Sequence, residues 1–397
     1  MKSAVIVVTY NRPHSLERLF NSLDRASYDN GDQIDLIISC DHSGDKKTAE
    51  IAEDFSWKHG DKKVIAHPER LGLKKHILFC FSFAETYDFI FVLEDDLVVS
   101  DSFYHYGKQS SVFYNDCEHV AAASLYAYQK NWLNWSLRFE PQKSQYDAYF
   151  MKMGQSWGEV FTKKQWLAFK EWLDDNSEFV KDEKNPPLIN TWPESSWLKY
   201  FIRYCIIQDK YLVYPYHSLT TNCSDLGEHN KSLPVNDYQV DLISGQKEFC
   251  FQKFELDNLD CVKYDEYFNR VNLELVLNIK DNELCVDIWC TRVFLPNESK
   301  YLLTSKRIKN LKIVSRFAFG FRPIEYSIIN NICGSNELFL YFLDKHISLK
   351  PIYNPALVMY SSRTHDYKYA RILKRKLFWF RCKKVVSRGL HFFKRNK

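Results

Sequence analysis

Three consecutive carboxylates, Glu94-Asp95-Asp96, stand directly after the apolar run Phe89-Ile90-Phe91-Val92-Leu93. A buried strand delivers acids to the edge of a sheet, because they are too costly to bury unpaired. Hard oxygen ligands at such a place suit Mg2+ or Mn2+. A divalent cation held there with a nucleoside diphosphate explains the clustering, since the metal neutralises the diphosphate as a bond to it breaks. Taken alone, a solvated turn of acids explains the triplet equally well.

A second motif competes for the chemistry. Gly154-Gln155-Ser156-Trp157-Gly158 has the Gly-x-Ser-x-Gly form of a hydrolase nucleophile elbow. An apolar run precedes it and a helical pattern, Thr162 to Leu173, follows, as that turn requires. Asp209, Asp225, His217 and His229 lie downstream in the order a triad needs. A serine hydrolase, however, leaves Glu94-Asp95-Asp96 and Arg12 without a role. Gly-x-Gly-x-x-Gly, Gly-x-x-x-x-Gly-Lys-Ser/Thr and His-Glu-x-x-His do not occur, and the chain holds only 12 glycines. This argues against a dinucleotide oxidoreductase and a P-loop NTPase.

The elements that must position these residues can be read from periodicity. Ala4 to Thr9 is a continuous apolar, β-branched run that predicts a central strand buried on both faces, and Ile34 to Ser39 predicts a second buried strand. Val64 to Ala66 predicts a short strand and Phe89 to Leu93 another. Between them, Ser15 to Leu23, Thr48 to Phe55 and Leu73 to Glu85 read as helices; the first carries Leu16, Leu19, Phe20 and Leu23 on one face. Alternation of this kind predicts an α/β fold with a mostly parallel sheet. Ligands then bind at the carboxyl ends of the strands, where Arg12, Asp41 and Glu94-Asp96 all fall. Asn176 to Pro193 reads as a surface loop, and the polar stretch Cys223 to Asp237 as a domain boundary. Shorter elements follow at Glu274–Ile279, Leu284–Trp289, Leu311–Phe317 and Glu337–Phe342.

The order Val-Thr-Tyr-Asn-Arg, Ser-Cys-Asp-His-Ser-Gly, Val-Leu-Glu-Asp-Asp-Leu resembles inverting glycosyltransferases of the GT-A (nucleotide-diphospho-sugar transferase) fold. In particular it resembles bacterial polysaccharide transferases related to the animal N-acetylglucosaminyltransferase I family. Asp101-Ser102-Phe103, Gln155-Ser156-Trp157-Gly158, Tyr214-Pro215, Thr221-Asn222 and Glu228-His229 extend the likeness over about residues 3–230. The resemblance implies that Asp96 is the direct ligand of Mn2+ or Mg2+, and that Glu94 and Asp95 hold the sugar and ribose hydroxyls. It places Thr9 on the donor side and Arg12 near the diphosphate, where a guanidinium suits phosphate oxygens. Asp41 accepts from the nucleobase, as a uracil N–H requires. His76 matches a donor-site position, or is a helix residue facing other side chains. His229 is a candidate second metal ligand. The sequence departs from the pattern at the catalytic base: Trp192 to Tyr200 carries a Ser or Leu where relatives carry an Asp. Glu194 is the first candidate for the proton acceptor of an inverting transfer, Glu159 the second and Asp147 the third.

These readings predict a catalytic domain over 1–235, a smaller α/β unit over 236–366 and a basic tail over 367–397. The tail has seven lysines, five arginines and no acid, so with a whole-chain charge of +4 the remainder carries −8. Tyr369, Leu373, Leu377 and Phe380 recur at helical spacing among the charges, with Trp379, Phe392 and Phe393 beside them. That pattern predicts an amphipathic helix on an anionic membrane, with a solvated terminus or a nucleic-acid tail as the alternatives. No apolar run is long enough to span a bilayer, and 11 scattered cysteines without a Cys-x-x-Cys pair read as reduced thiols. The resulting expectation is a metal-dependent hexosyl- or N-acetylhexosaminyltransferase, cytoplasmic and peripheral on the inner membrane face. It moves sugar from a UDP-sugar to a surface polysaccharide such as O-antigen or capsule, on a lipid-linked acceptor, with no nucleic acid as partner. A sugar-nucleotide-binding protein without turnover, the serine hydrolase, and a nucleotidyltransferase (whose glycine-rich loop is missing at Tyr10–His14) are the alternatives.

Overall fold

The computed structural model describes residues 1–134, 137–225, 238–334, 338–352 and 354–362, with 372 and 375. His229 and all of the basic tail except those last two positions lie outside the described residues. Two compact units divide the chain: Met1–Gln129 with Pro141–Asn278, and Lys130–Glu140 with Ile279 onward. The first therefore runs past the expected boundary at residue 235, and the physical reason is aromatic. Phe249 and Phe251 return to pack on Tyr106, with ring centroids 5.2 and 5.5 Å apart, and the Tyr114 hydroxyl donates to the Gln252 carbonyl at 2.8 Å.

The strands of the first unit are β1 (Ser3–Thr9), β2 (Ile34–Cys40), β3 (Lys62–Ala66), β4 (Phe89–Glu94), β5 (Leu97–Val99), β6 (Val120–Ser124), β7 (Ala148–Met151), β8 (Glu159–Thr162), β9 (Tyr211–Pro215), β10 (Thr220–Asn222) and β11 (Lys263–Tyr264). Nine of them form one sheet in the order β11-β7-β9-β6-β8-β4-β1-β2-β3, while β5 and β10 make a separate pair. The β4-β1-β2-β3 side is entirely parallel, and β8 enters antiparallel between β4 and β6. Every residue of β1 and β2 is buried, which is why both read as mainly apolar runs rather than alternating ones; the one charged residue, Asp35 in β2, accepts from the Tyr87 hydroxyl at 2.7 Å.

Six main helices cover this sheet: α1 (Pro13–Arg25), α2 (Lys47–Asp54), α3 (Leu73–Phe81), α4 (Phe103–Tyr114), α5 (Lys163–Asp175) and α6 (Leu198–Ile207). Pro13 opens α1, where a missing N–H costs nothing, and Leu16, Leu19, Phe20 and Leu23 form its buried face. A reciprocal capping box of Thr162 and Gln165 starts α5. Register brings the chemistry to one edge: Thr9 lies beside Cys40, Val8 beside Glu94 and Leu97 beside Asn222.

The second unit has its own mixed sheet of β12 (Leu284–Asp287), β13 (Tyr301–Thr304), β14 (Lys312–Phe317) and β15 (Leu338–Phe342), ordered β12-β13-β15-β14. Its core is built from Cys285, Leu295, Leu302, Phe339, Tyr341, Leu343 and Leu349. Lys130–Glu140 belongs here: Lys130 bridges Arg138, the Arg138 amide donates to Ser361, and Arg322 pairs with Glu140 at 3.2 Å.

Candidate active site

Strand β4 ends at Glu94, so Asp95 and Asp96 occupy the turn into β5, and this turn is closed on three sides. Asp95 is buried. Its Oδ2 accepts from the Thr9 hydroxyl at 2.8 Å and from the Tyr10 amide at 3.1 Å. Arg12 Nη1 donates to Asp95 Oδ1 at 3.1 Å and to Asp96 Oδ2 at 2.7 Å. The other Asp96 oxygen accepts from Asn222 Nδ2 at 3.0 Å, and the Cys223 amide donates to the Asp96 carbonyl at 2.9 Å. The antiparallel pair of β5 and β10 fastens the triplet from one side, and the loop after β1 fastens it from the other. Burial pushes the Asp95 carboxyl up to about 6, against the pull of Arg12 and Thr9. The same two carboxylates hold the Arg12 guanidinium charged above its ordinary range despite burial.

Glu94 is half-buried and accepts from the Ser156 hydroxyl. Burial first, and then the charges of Asp96 and Asp95, raise its carboxyl well above the usual carboxylate range. Ser156 sits in the loop from β7 to β8. Gln155 Nε2 braces this loop by donating to Ser124 Oγ at 3.0 Å and to the Gly158 carbonyl at 2.8 Å. A nucleophile elbow requires a strand–turn–helix. Here Ser156 leads into strand β8, and α5 begins only at Lys163. The other triad candidates among the described residues are committed elsewhere. Asp209 pairs with Lys152 at 2.6 Å, Asp225 with Arg18 and with Ser15 at 2.6 Å, and His217 faces Lys143 at 3.4 Å. The geometry does not support a hydrolase.

Asp41 follows β2 and is buried. Its carboxylate accepts the amides of Leu71 at 2.7 Å, Gly72 at 3.0 Å and His42 at 2.9 Å. Burial opposes its charge, but these amides outweigh that and lower its pKa. Asp41 therefore organises the loop that starts α3, and one acceptor lobe stays available. His76, on α3, is buried and lies 2.8 Å from Ser39 Oγ, which also meets His67 Nε2 at 2.9 Å. Burial lowers its pKa to about 4, so the ring is neutral at physiological pH. Its contacts are those of a helix residue facing other side chains.

The three candidate bases separate by place. Glu159 begins β8 directly opposite Val92 of β4. It is only 2% exposed, and its Oε1 has no hydrogen-bond partner. Burial and then Glu94 push its carboxyl well above the usual range. That shift favours its protonated form, the wrong one for a base. Asp147 precedes β7, four strands from β4, a separation of roughly 19 Å. It is tied to the Cys250 amide at 2.8 Å instead, too far to serve chemistry at Glu94–Asp96. Glu194 is 73% exposed, and accepts from Lys199 Nζ at 2.6 Å and from the Tyr200 hydroxyl at 2.8 Å. These bonds lower its pKa, keeping it ionised. Lys74, two residues after Gly72, places its ammonium 3.5 Å from the Tyr200 ring centroid, which links the Glu194 segment to the loop held by Asp41.

Residues 4–175 match the model of Glycosyl transferase family 2. The domain is of the GT-A type, an α/β fold with a large, mostly parallel central sheet. No curated protein matches the chain. Among solved structures, the chain is similar to S. aureus TarS 1-349 in complex with UDP-GlcNAc (18% identity, TM-score 0.39, covering 59% of this chain and 62% of that one). A second structure of S. aureus TarS 1-349 gives 17% identity, TM-score 0.36, and coverage of 55% and 60%. A mannosyltransferase, PcManGT from Pyrobaculum calidifontis in complex with GDP-Man and Mn2+, gives 12%, 0.34, and coverage of 54% and 56%. The chain thus spans less than two thirds of the length of each of these proteins.

Asn222 and Ser156, the side chains that hold Asp96 and Glu94, carry no donor-site role in the sequence reading, where Ser156 is the candidate hydrolase nucleophile and Asn222 only part of the resemblance. Asn222 is 126 positions from Asp96, and a Thr-Asn pair at the end of a three-residue strand carries no local mark. The signals in the sequence are the Thr221-Asn222 and Gln155-Ser156-Trp157-Gly158 matches of the resemblance, the second of which also has the form of the hydrolase motif.

Proposed function

We propose that this protein is an inverting glycosyltransferase that transfers a hexosyl or N-acetylhexosaminyl unit from a UDP-sugar to a hydroxyl of a lipid-linked surface polysaccharide. The observation that carries the reading is the convergence of Glu94, Asp95 and Asp96 with Arg12, Thr9 and Asn222 at the carboxyl edge of a sheet whose chain matches glycosyl transferase family 2.

Among the described residues no group of three or more His, Cys, Asp or Glu side chains gathers to enclose a metal. The chemistry of Asp95 and Asp96 still fits one, because both already share a single cationic group, Arg12, between them. A Mg2+ or Mn2+ site of this kind uses one or two carboxylates and takes its other ligands from water and substrate phosphates. Asp96 would hold the ion with Asp95 beside it, and the candidate second ligand His229 lies outside the described residues. When bound, the ion supplies charge neutralisation for the departing diphosphate. Arg12 contributes the same sign of charge from the protein. Glu94, with Ser156, faces the sugar; Thr9 and Asp41 lie towards the nucleoside. Glu194 is assigned as the base, since burial favours the protonated form of Glu159 and Asp147 is remote.

The membrane-facing part of the proposal rests on the basic, aromatic-rich 367–397 sequence. No helix among the described residues is long and apolar enough to cross a membrane. A sugar-nucleotide-binding protein without turnover is the second reading, favoured by the two hydrogen bonds that already engage Glu194.

Melting the protein with UDP, GDP or CMP, each with Mn2+, tests the donor class; UDP is expected to raise Tm most. A donor panel then compares turnover of the native protein with Asp96→Ala, where a loss of more than about 100-fold is expected. Unchanged turnover in that variant would reject the site, and stabilisation by UDP without any turnover would favour the binding protein.

A further inference from the structure

Arg12 occupies an unusual place for a residue expected to hold a diphosphate. Its Nη1 lies 3.1 Å from Asp95 and 2.7 Å from Asp96. The opposite Asp96 oxygen is already taken by Asn222 at 3.0 Å, and Asp95 Oδ2 by Thr9 and the Tyr10 amide. The one face of the carboxylate pair not closed by neutral donors is therefore closed by a guanidinium. A divalent cation approaching that face meets a like charge within about 4 Å, where the two disfavour each other strongly.

The backbone under Arg12 is fixed while the side chain is not. Asn11 has a left-handed φ of 51°, Pro13 opens α1, and the Arg12 carbonyl accepts from the Leu16 amide at 3.0 Å. The guanidinium is 20% exposed, so it can turn about its side-chain bonds without disturbing the helix start. A diphosphate offers it a second set of anionic oxygens of matching fork geometry.

We propose that Arg12 is a built-in counter-ion that holds the place of the divalent cation until the donor arrives. The diphosphate then draws the guanidinium off Asp95 and Asp96, and in doing so opens the acids to the metal. This rests on the donor reading given above and adds its order: nucleotide and cation bind with positive coupling, part of which runs through Arg12. Coupling of this kind is reciprocal, so each ligand tightens the other by the same factor.

The test is Mn2+ binding, followed by the paramagnetic resonance signal of the free ion, and UDP binding, followed by calorimetry, for the native protein, Arg12→Gln and Arg12→Lys. In the native protein Mn2+ alone binds weakly and UDP tightens it. In Arg12→Gln, Mn2+ without nucleotide is expected to bind at least tenfold tighter than in the native protein, about 1.4 kcal/mol. UDP without metal binds more weakly in that variant, and the mutual tightening shrinks. These opposite shifts distinguish a place-holding cation from a merely structural arginine, whose loss would weaken both ligands. Arg12→Lys, which keeps a charge but loses the fork, is expected to shift both affinities in the same directions by less; it decides the matter should the Gln variant fail to melt cooperatively. If Mn2+ binds neither variant more tightly while UDP still tightens Mn2+ in the native protein, the place-holder role is overturned and the donor site stands. If the native protein takes up no Mn2+ even with UDP, the metal reading falls, and this inference with it.

Discussion

Glu159 is the residue whose chemistry departs most from its appearance in the sequence. There it is an acid after Trp157-Gly158 and a plausible base; in the fold it opens β8 on the face that Val92 and Glu94 share. Directly opposed side chains point the same way and diagonal neighbours lie about 7 Å apart, so two carboxyls share one dry patch. Burial and then Glu94 favour the neutral form of Glu159. Its pKa is raised on folding, so its contribution to stability is complete below the unfolded value of about 4.3 and declines as pH rises through the folded value. Glu159→Gln removes that penalty. The Tm of the variant minus that of the native protein is expected to grow steadily from pH 5 to pH 8, and a flat difference across that range would contradict the buried proton. Glu194 gives the opposite case. Its charge is held by Lys199, whose side chain is 1% exposed. Glu194→Gln is expected to lose about 1 kcal/mol of stability at most, because the acid itself faces water, yet to lower kcat by about 100-fold or more if it takes the acceptor's proton. Retained kcat would move the base elsewhere. Sequence type and spacing singled out Glu94, Asp95 and Asp96 because a buried strand exports them together. They could not separate three isolated glutamates and aspartates, since burial and partners decide which of those is charged.

At the scale of elements, the first 94 residues were the most legible part of the chain. β1, β2 and β4 are central strands buried on both faces, so their mainly apolar runs, interrupted in β2 by Asp35, have one sensible meaning. The α1 face is just as plain, from Leu16 to Leu23. The stretch expected as one helix from Leu73 to Glu85 is α3 followed by a 3-10 turn, Ser82–Glu85. β7 and β8 were not placed as strands. They are four residues each, too short for a period to register, and the loop between them is set by one glycine. Gly158 has φ +101, and a methyl group added there would lie 3.0 Å from Thr220 Cγ2 and 3.3 Å from Leu125. That loop also carries Ser156 to Glu94 and lets Leu125 donate to the Gly158 carbonyl at 2.9 Å. Gly158→Ala is expected to cost about 1–3 kcal/mol from the backbone conformation alone, lowering Tm by several degrees, and to weaken UDP-sugar turnover through Ser156. A variant melting within a degree of the native protein would show that the loop has an alternative path.

The division of the whole molecule was the least legible feature, and it yields a test of its own. Polarity rises over Cys223 to Asp237 and the elements shorten afterwards, so a sequence reading ends the catalytic domain near 235. The chain instead brings Phe249, Phe251 and Phe254 back onto α4, β7 and β9, where Phe254 lies 5.0 Å from Phe150 and 5.2 Å from Tyr211, and then adds β11 to the sheet beside β7. Burying those rings contributes on the order of 5 kcal/mol, a large part of the net stability of any domain. The segment Lys130–Glu140 leaves the first unit for partners such as Arg322, 182 positions further on, and a separation of that kind leaves no trace in local pattern. A chain ending at Asn278, with Lys130–Glu140 replaced by a short Gly-Ser linker, is therefore expected to melt cooperatively and to keep its stabilisation by UDP and Mn2+. A chain ending at residue 235 with the same linker removes the three rings and β11 and exposes Tyr106 and Tyr114; it is expected to lose cooperative melting. Equal melting of the two would mean that residues 236–278 are an accessory to the first unit rather than part of its core. Retained melting without UDP stabilisation in the longer chain would assign the second unit a share in donor binding.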